Sequence, residues 1–376
     1  MSTLHIFNPE HEWSLAQGRV GGSPPRAAVR LRHDLSYLPT LLAEDGDKVL
    51  VDDKVFALHM LRQWEGPAAH VELVEAADVW QTKPIDAVRP WGWDANICHE
   101  LRSLGTDDSL LPDDEQLMCI RELSHRAVAG KVLSAITENM DTHQVVGSSW
   151  LCTTMAEVEQ HLQHLGSMVI KAPWSSSGRG VMLCHAGVLT DQQQRRVNNI
   201  LLKQGGVMCE PLYDRVADFA MEFVAHDDGS VDYQGLSVFT TTMTQYAGNV
   251  IASEDYKYSL LTSFLPVSLL SDVRSLLPRL LQAALQGHYQ GPLGVDMMVV
   301  RLSGNAKGAP LYAMHPCVEI NLRFTMGHVA LALAQRMPET KAQMQIVCNQ
   351  FFQMRIYTLY NGVTSLICSA GSNNHR

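Results

Sequence analysis

Apolar and polar positions over residues 1 to about 110 fall into two alternating rhythms, short runs of period two and longer runs of helical period. Leu4-His5-Ile6-Phe7, Lys48-Val49-Leu50-Val51, Val71 to Val74 and Ala87-Val88-Arg89 predict strands. Between them lie a helix capped by Asp34 and stopped near Gly46, and an amphipathic helix through Leu58, Leu61 and Trp64. After the last strand, Asp94 caps a helix that ends at Gly105. This alternation predicts an open α/β sheet. Ligands of such sheets sit beyond the carboxyl ends of the strands. That places Asn8, Glu10 and His11 after the first strand, and Trp91-Gly92-Trp93-Asp94 after the fourth, beside a candidate substrate pocket. Packing is the alternative role for the two tryptophans. The stretch has no G-x-G-x-x-G, which argues against a dinucleotide site.

From Leu110 to Ile136 the rhythm is helical, with Ser124 as the expected cap before His125-Arg126. Thr154 and Glu157 form a capping box for a helix closed by Gly166. Met168 to Lys171 is a strand, Ala172 to Gly180 a small-residue loop, and Val181 to Leu183 the returning strand. A helix from Thr190 to Gln204 follows, then strands at Val207–Leu212, Asp218–Val224 and Val231–Phe239. Thr240 to Asn249 reads as a polar loop, residues 267 to 286 and most of 327 to 360 as helix, and Ser369 to Arg376 as a frayed end.

One strand carries more chemistry than the others. In His315-Pro316-Cys317-Val318-Glu319-Ile320-Asn321-Leu322-Arg323, apolar Val318, Ile320 and Leu322 alternate with Glu319, Asn321 and Arg323. Its partner is Gly294 to Val300, joined through the turn-rich Ser303–Pro310; antiparallel pairing brings Asp296 across from Glu319. Carboxylates and an amide oxygen suit a hard divalent cation, and a guanidinium beside them suits a phosphoryl oxygen. An edge strand with a solvated face is the competing reading.

A length of 376 residues, 46% of them hydrophobic, predicts two or three packed units. The net charge of −10 and the lack of a long basic run argue against nucleic acid as a partner. The 8 cysteines are scattered without zinc spacing, so reduced, mostly buried thiols are expected. No secretory leader and no membrane-length apolar run is seen, so a cytoplasmic protein without membrane contact is expected. Lys171 at a strand end, followed by Gly178-Arg179-Gly180, suits an anion-binding nest. It is not a Walker A loop, and a Ser/Gly hairpin without ligand is the alternative. Glu210 leaves its strand into Pro211-Leu212, and the loop to Asn249 offers Tyr246 and Asn249 to a substrate or merely connects two strands.

In combination these parts resemble the ATP-grasp superfamily, best from about 120 to 330, with residues 1–115 similar to its pre-ATP-grasp domain. The resemblance implies an N-terminal open parallel α/β domain, a small lobe with the phosphate loop over 116–206, and a large lobe with the metal site and C-terminal helices over 207–376. It implies that Lys171 and a loop of Trp174, Ser175, Ser176, Ser177 and Gly178 hold the phosphates of ATP. Glu210 to Leu212 would edge adenine and Asp218 the ribose. Mg²⁺ would be held by Asp296, Glu319 and Asn321, with Arg323 and Lys171 in the catalytic role. Family members carry a lysine in a Ser-Asp-Lys motif; here Ser124-His125-Arg126 makes Arg126 its stand-in. Bacterial ATP-grasp proteins with similar Asn-Pro-Glu-His and Leu-Ser-His-Arg runs look closer than D-alanine ligases, biotin carboxylases or purine-pathway carboxylases, whose substrate motifs are not matched. The implied activity is ADP-forming ligation of a small-molecule carboxylate to an amine, less readily a thiol, through an acyl phosphate, with a homodimer as an open possibility. Glu10, His11, Tyr246 and Asn249 would face the substrate. A small-molecule kinase and a nucleotide sensor without catalysis are the alternatives.

Overall fold

A computed structural model describes residues 2–63, 68–79, 84–140, 143–175, 180–185, 187–242, 245–302, 311–360 and 363–369. Its strands, in chain order, begin with β1 (Thr3–Ile6), β2 (Lys48–Leu50), β3 (Glu72–Val74), β4 (Ala87–Pro90), β5 (Trp150–Cys152), β6 (Met168–Lys171), β7 (Val181–Cys184) and β8 (Val207–Pro211). They continue with β9 (Asp214–Ala225), β10 (Val231–Thr242), β11 (Gln245–Ile251), β12 (Gly291–Leu302), β13 (Leu311–Asn321), β14 (Ala342–Cys348), β15 (Phe352–Tyr360) and β16 (Val363–Ser369). The chain folds as two compact units, one of Met1–Ile120, Ala247–Lys257 and Arg323–Arg376, the other of Arg121–Tyr246 and Tyr258–Leu322. The segment after Leu322 thus groups with the N-terminal residues, a parcelling different from the three consecutive stretches expected.

The first unit contains the expected parallel sheet, in the order β3-β2-β1-β4. Asp94 caps the helix Ala95–Ser103, its side chain accepting from the backbone N–H of Asn96 (2.8 Å) and Ile97 (3.1 Å). Asp34 is not a cap: it ends the helix Arg26–Leu35, where its carboxylate accepts from the Phe352 N–H at 2.8 Å. The long helix expected over 327–360 is also corrected. The helix Met326–Arg336 stops just before Pro338, and two antiparallel strands, β14 and β15, follow. Their period-two alternation, with Met344, Met354 and Ile356 buried, is the pattern of strands that cover a core. That core joins Phe7, Leu35, Val49 and Trp91 to Leu333 and Met344. Trp91 is therefore packing, edge-on to Phe7 at 5.0 Å.

The second unit has two antiparallel sheets. One runs β5-β8-β6-β7; the other pairs β13-β12-β9-β10. Thr154 and Thr190 close capping boxes with Glu157 and Gln193. The expected cap at Ser124 moves by one residue: His125 starts the helix Arg126–Asn139, its Nδ1 accepting from the Ala127 N–H at 3.0 Å. The expected polar loop is strand at both ends, β10 reaching Thr242 and β11 beginning at Gln245; the β-branched threonines favour extension. The loop Ser303–Pro310 and the chain after Ser369 lie outside the described residues, apart from their flanking strands.

Candidate active site

Within the second unit, β12 and β13 meet in the register that sets Asp296 opposite Glu319 and Gly294 opposite Asn321. The Asn321 amide nitrogen donates to Asp296 Oδ2 at 3.2 Å. Next along the ladder the register shifts at Met298, which pairs with His315, so Pro316 and Cys317 fall in a bulge. A bulge accommodates a proline that has no N–H for the ladder. β9 adds a third position to each rung: Ala220 beside Asp296, and Asp218 beside Met298. Among the described residues no three His, Cys, Asp or Glu groups cluster to hold a metal. Two carboxylates and an amide carbonyl are still a fitting partial set for Mg²⁺, which keeps waters and phosphate oxygens in its shell. Glu319 retains 26% of its side-chain surface, with one oxygen held by Arg126 at 2.6 Å.

Lys171 ends β6 and Glu210 lies near the end of β8, and both are buried. Lys171 Nζ sits 2.6 Å from Glu210 Oε2, and the Ser149 hydroxyl donates to Glu210 Oε1 at 3.1 Å. The loop after Lys171 is closed at its base by Ala172 N–H donating to the Gly180 carbonyl (2.9 Å). A Cβ on Gly180 would lie 2.2 Å from Ser175 Oγ, so only glycine fits there. Ser176, Ser177 and Gly178 lie outside the described residues. Trp174 anchors the loop's start: its indole donates to the Arg121 carbonyl (2.9 Å), and the Arg121 guanidinium lies 4.0 Å over its ring. Leu212 is half-buried beyond β8. Asp218 accepts from the Thr241 hydroxyl (2.7 Å) and pairs with Arg215 (3.1 Å), while burial pushes its carboxyl above the usual range.

Sequence reasoning passed over His315 as a functional residue. It is 1% exposed, and neither ring nitrogen has a hydrogen-bond partner among the described residues. Tyr213 meets the ring edge-on at 5.8 Å, and a Cβ on Gly147 would come within 2.8 Å of Nε2. Burial first, then the Lys171 ammonium, pushes its pKa down from 6.5 to about 3. The only sequence signal was a histidine followed by a proline at the head of the alternating stretch. Below pH 6.5 the unfolded chain binds a proton at this position that the folded chain refuses, so stability falls as pH drops toward about 3. The slope from this group is up to about 1.4 kcal/mol per pH unit. His315→Phe should flatten urea-unfolding stability between pH 6 and 4; an unchanged slope would show that the ring titrates freely.

In the first unit β1 has β2 on one side and β4 on the other, so the order of winding reverses between β1 and β4. Ligand crevices of open α/β sheets form outside such a reversal. Asn8 and Gly92 exchange hydrogen bonds across it at 2.8 and 3.2 Å. Asp94 accepts from Ser14 Oγ (2.6 Å) and Asn8 Nδ2 (3.1 Å), with His11 Nδ1 at 3.3 Å. His11 is fully buried, and a Cβ on Gly92 would meet its ring at 2.7 Å. Glu10 pairs with Arg32 at 2.7 Å, and Arg32 reaches Glu100 at 2.5 Å. Glu10 Oε2 is buried without a hydrogen-bond partner among the described residues, and burial raises the carboxyl's pKa against the pull of Arg32.

Three expected site residues are placed differently from their sequence reading. β13 ends at Asn321, so Arg323 does not continue the face of Glu319 and Asn321; its guanidinium pairs with Glu12 in the first unit. Tyr246 and Asn249 lie in β11 rather than a loop. Asn249 is buried opposite Met344, and burial raises the Tyr246 phenol. A cleft of about 540 Å³ in the second unit, lined by Asn139, Gln144, Asp272 and Arg279 among others, includes none of the expected residues.

Neither a protein-family model nor a curated protein matches this sequence. Solved structures do show similarity in chain path. An Archaeoglobus fulgidus protein described as an ATP-grasp superfamily candidate is 11% identical, covering 96% of this chain and 100% of its own, with a TM-score of 0.48. N5-carboxyaminoimidazole synthetase of Staphylococcus aureus, complexed with ADP, is 10% identical over 92% of this chain and 82% of its own, TM-score 0.46. The biotin carboxylase domain of Hydrogenobacter thermophilus 2-oxoglutarate carboxylase, in complex with MgADP, ADP and bicarbonate, is 13% identical over 95% and 74%, TM-score 0.49. Among the described residues, no helix is long and apolar enough to cross a membrane.

Proposed function

We propose that this protein is an ATP-grasp enzyme, an ADP-forming ligase that joins a carboxylate to an amine through an acyl phosphate. One observation carries the reading: a hairpin sets Asp296 across from Glu319, with Asn321 bonded to Asp296, at the positions that the motif implies for a metal site. Mg²⁺, bound there with the nucleotide, would neutralise phosphate charge and polarise the phosphoryl group. Lys171 would bind phosphate; its ammonium is buried and paired with Glu210, a partner that a ligand would have to compete with. Trp174 and Ser175, at the start of the loop after Lys171, would lie against the phosphates. Glu210 to Leu212 would edge the base, and Asp218, one strand over from Met298, the ribose.

The chain's part in the reaction is positioning and charge placement, because phosphoryl transfer asks for little covalent help. The acid oxygen attacks the γ-phosphorus, ADP leaves, and the amine then displaces phosphate from the acyl carbon. Glu10, with one buried oxygen uncommitted, is the residue of the first unit best suited to receive a substrate N–H.

Three measurements test this. Mg²⁺-ATP at a hundredfold excess over its dissociation constant should stabilise the protein by about 2.7 kcal/mol. Pairs of amino acids and small peptides screened for ADP release should give turnover only with both partners, and hydroxylamine should trap a hydroxamate from the acid alone. A stable phosphoester product would make the enzyme a kinase, and the absence of any nucleotide-dependent shift would end the ATP reading.

A further inference from the structure

Arg126 is tied down more completely than any phosphate-binding residue should be. It is the first residue of its helix, and its backbone N–H donates to the Pro173 carbonyl at 3.3 Å. Nη1 donates to the Ala172 carbonyl (2.5 Å) and Ser175 Oγ (2.7 Å). Nη2 donates to the Ser175 carbonyl (3.0 Å) and Glu319 Oε1 (2.6 Å). A guanidinium has four Nη hydrogens, and all four are engaged by protein acceptors. The fifth donor, Nε–H, is buried and meets no hydrogen-bond acceptor among the described residues. The side chain is 5% exposed. No Nη hydrogen is left to receive a phosphate, and Nε–H is buried.

The geometry points to a different role. Arg126 is a positioning residue that fixes the Glu319 carboxylate, and through it the metal, while tying that carboxylate to the start of the phosphate loop. Glu319 has three rotatable bonds and a quarter of its surface open to solvent. Held at Oε1 by a charge-assisted bond, it presents its other oxygen in one orientation. Partners that orient a metal-binding carboxylate are typically worth 10–100-fold in metal affinity. The same guanidinium holds the loop at residues 172 and 175, so a lysine in its place would supply a point charge but not the fork. The sequence position of the family's phosphate-binding lysine would thus have been taken over by a residue that acts on the metal side of the site.

This inference rests on the metal–nucleotide reading above, and its test separates the two. Mn²⁺ binding to the protein with ADP present is followed by electron paramagnetic resonance, and ADP binding in EDTA by equilibrium dialysis. Arg126→Ala should weaken Mn²⁺ 10–100-fold while metal-free ADP affinity stays within about twofold. Arg126→Lys, which keeps charge and bulk and guards against a folding failure in the alanine variant, should leave metal-free ADP binding intact and should not restore Mn²⁺ affinity. If either variant loses metal-free ADP affinity with Mn²⁺ affinity unchanged, Arg126 contacts phosphate and the positioning role is wrong. A wild-type protein that binds ADP but no Mn²⁺ overturns the metal assignment and this inference together. One that binds neither ends the nucleotide reading itself.

Discussion

Glu319→Gln is expected to abolish ADP formation in a protein that still folds. Glutamine keeps the length of the side chain and an oxygen that can accept from Arg126, so the buried guanidinium is not left without its partner. What disappears is a negative charge opposite Asp296. A metal-bridging carboxylate contributes most where charge moves during phosphoryl transfer, and loss of one preorganised partner there costs about 10²–10³-fold in turnover. If Glu319 holds the metal as proposed, its loss should exceed that. The thermal midpoint should move by only about 2–4 °C, the shift that roughly 1 kcal/mol makes in a domain of this size class. Full activity in this variant would remove the metal from Asp296, Glu319 and Asn321.

The second large effect concerns stability. Arg323 is paired with Glu12, and both side chains are largely buried, at 17% and 12% exposure. Burial opposes ionisation of Glu12, but Arg323 and the neighbouring His11 more than offset it, and its carboxyl lies below the usual range. Arg323→Met leaves that buried carboxylate without its ion-pair partner, which costs about 3–5 kcal/mol. Adding Glu12→Leu should recover most of the loss, because removing both members of a buried pair is far milder than removing one. Urea unfolding of the two single variants and the double variant measures this directly. Single variants as stable as wild type would mean the pair is solvated. The cycle also separates two roles for Arg323: a double variant that regains stability but not turnover retains the catalytic part implied by its place after Glu319-x-Asn321.

Much of the site's skeleton was readable because strands impose strict geometry. Alternation marked Glu319 and Asn321 on one face, and turn-rich residues between two apolar runs put Asp296 opposite Glu319. The capping box at Thr154 was equally legible, since side-chain and backbone partners lie three residues apart; the one at Thr190 was not read, only the helix it opens. What failed depended on partners distant in sequence. Alternation could not say that β13 stops at Asn321, because the competitor for Arg323 is Glu12. His125 displaces Ser124 as a cap through an imidazole acceptor that composition does not favour. β14 and β15 look helical in sequence although Ala342, Met344 and Ile346 repeat every second residue, because a strong helix just before them masks the change of period. The full engagement of Arg126 was invisible, since three of its four Nη acceptors belong to a loop about fifty residues away and the fourth to β13.

The grouping of the chain's last stretch with its first has a consequence during synthesis. Phe7, Leu35, Val49 and Trp91 leave the ribosome early, yet the cluster they complete needs Val329, Leu333, Met344 and Ile356. At about 5–20 residues per second, those partners arrive on the order of 10–50 s after residue 120. Throughout that interval the short parallel strands of the N-terminal sheet carry an uncovered apolar face, while β5-β8-β6-β7 and the β13-β12-β9-β10 part of the larger sheet already have their strands. The order of folding is therefore expected to run from the middle of the chain outward. A nascent chain halted near residue 322 would carry the candidate metal hairpin in a finished unit, attached to an N-terminal segment that still awaits its core and is open to chaperones and proteases.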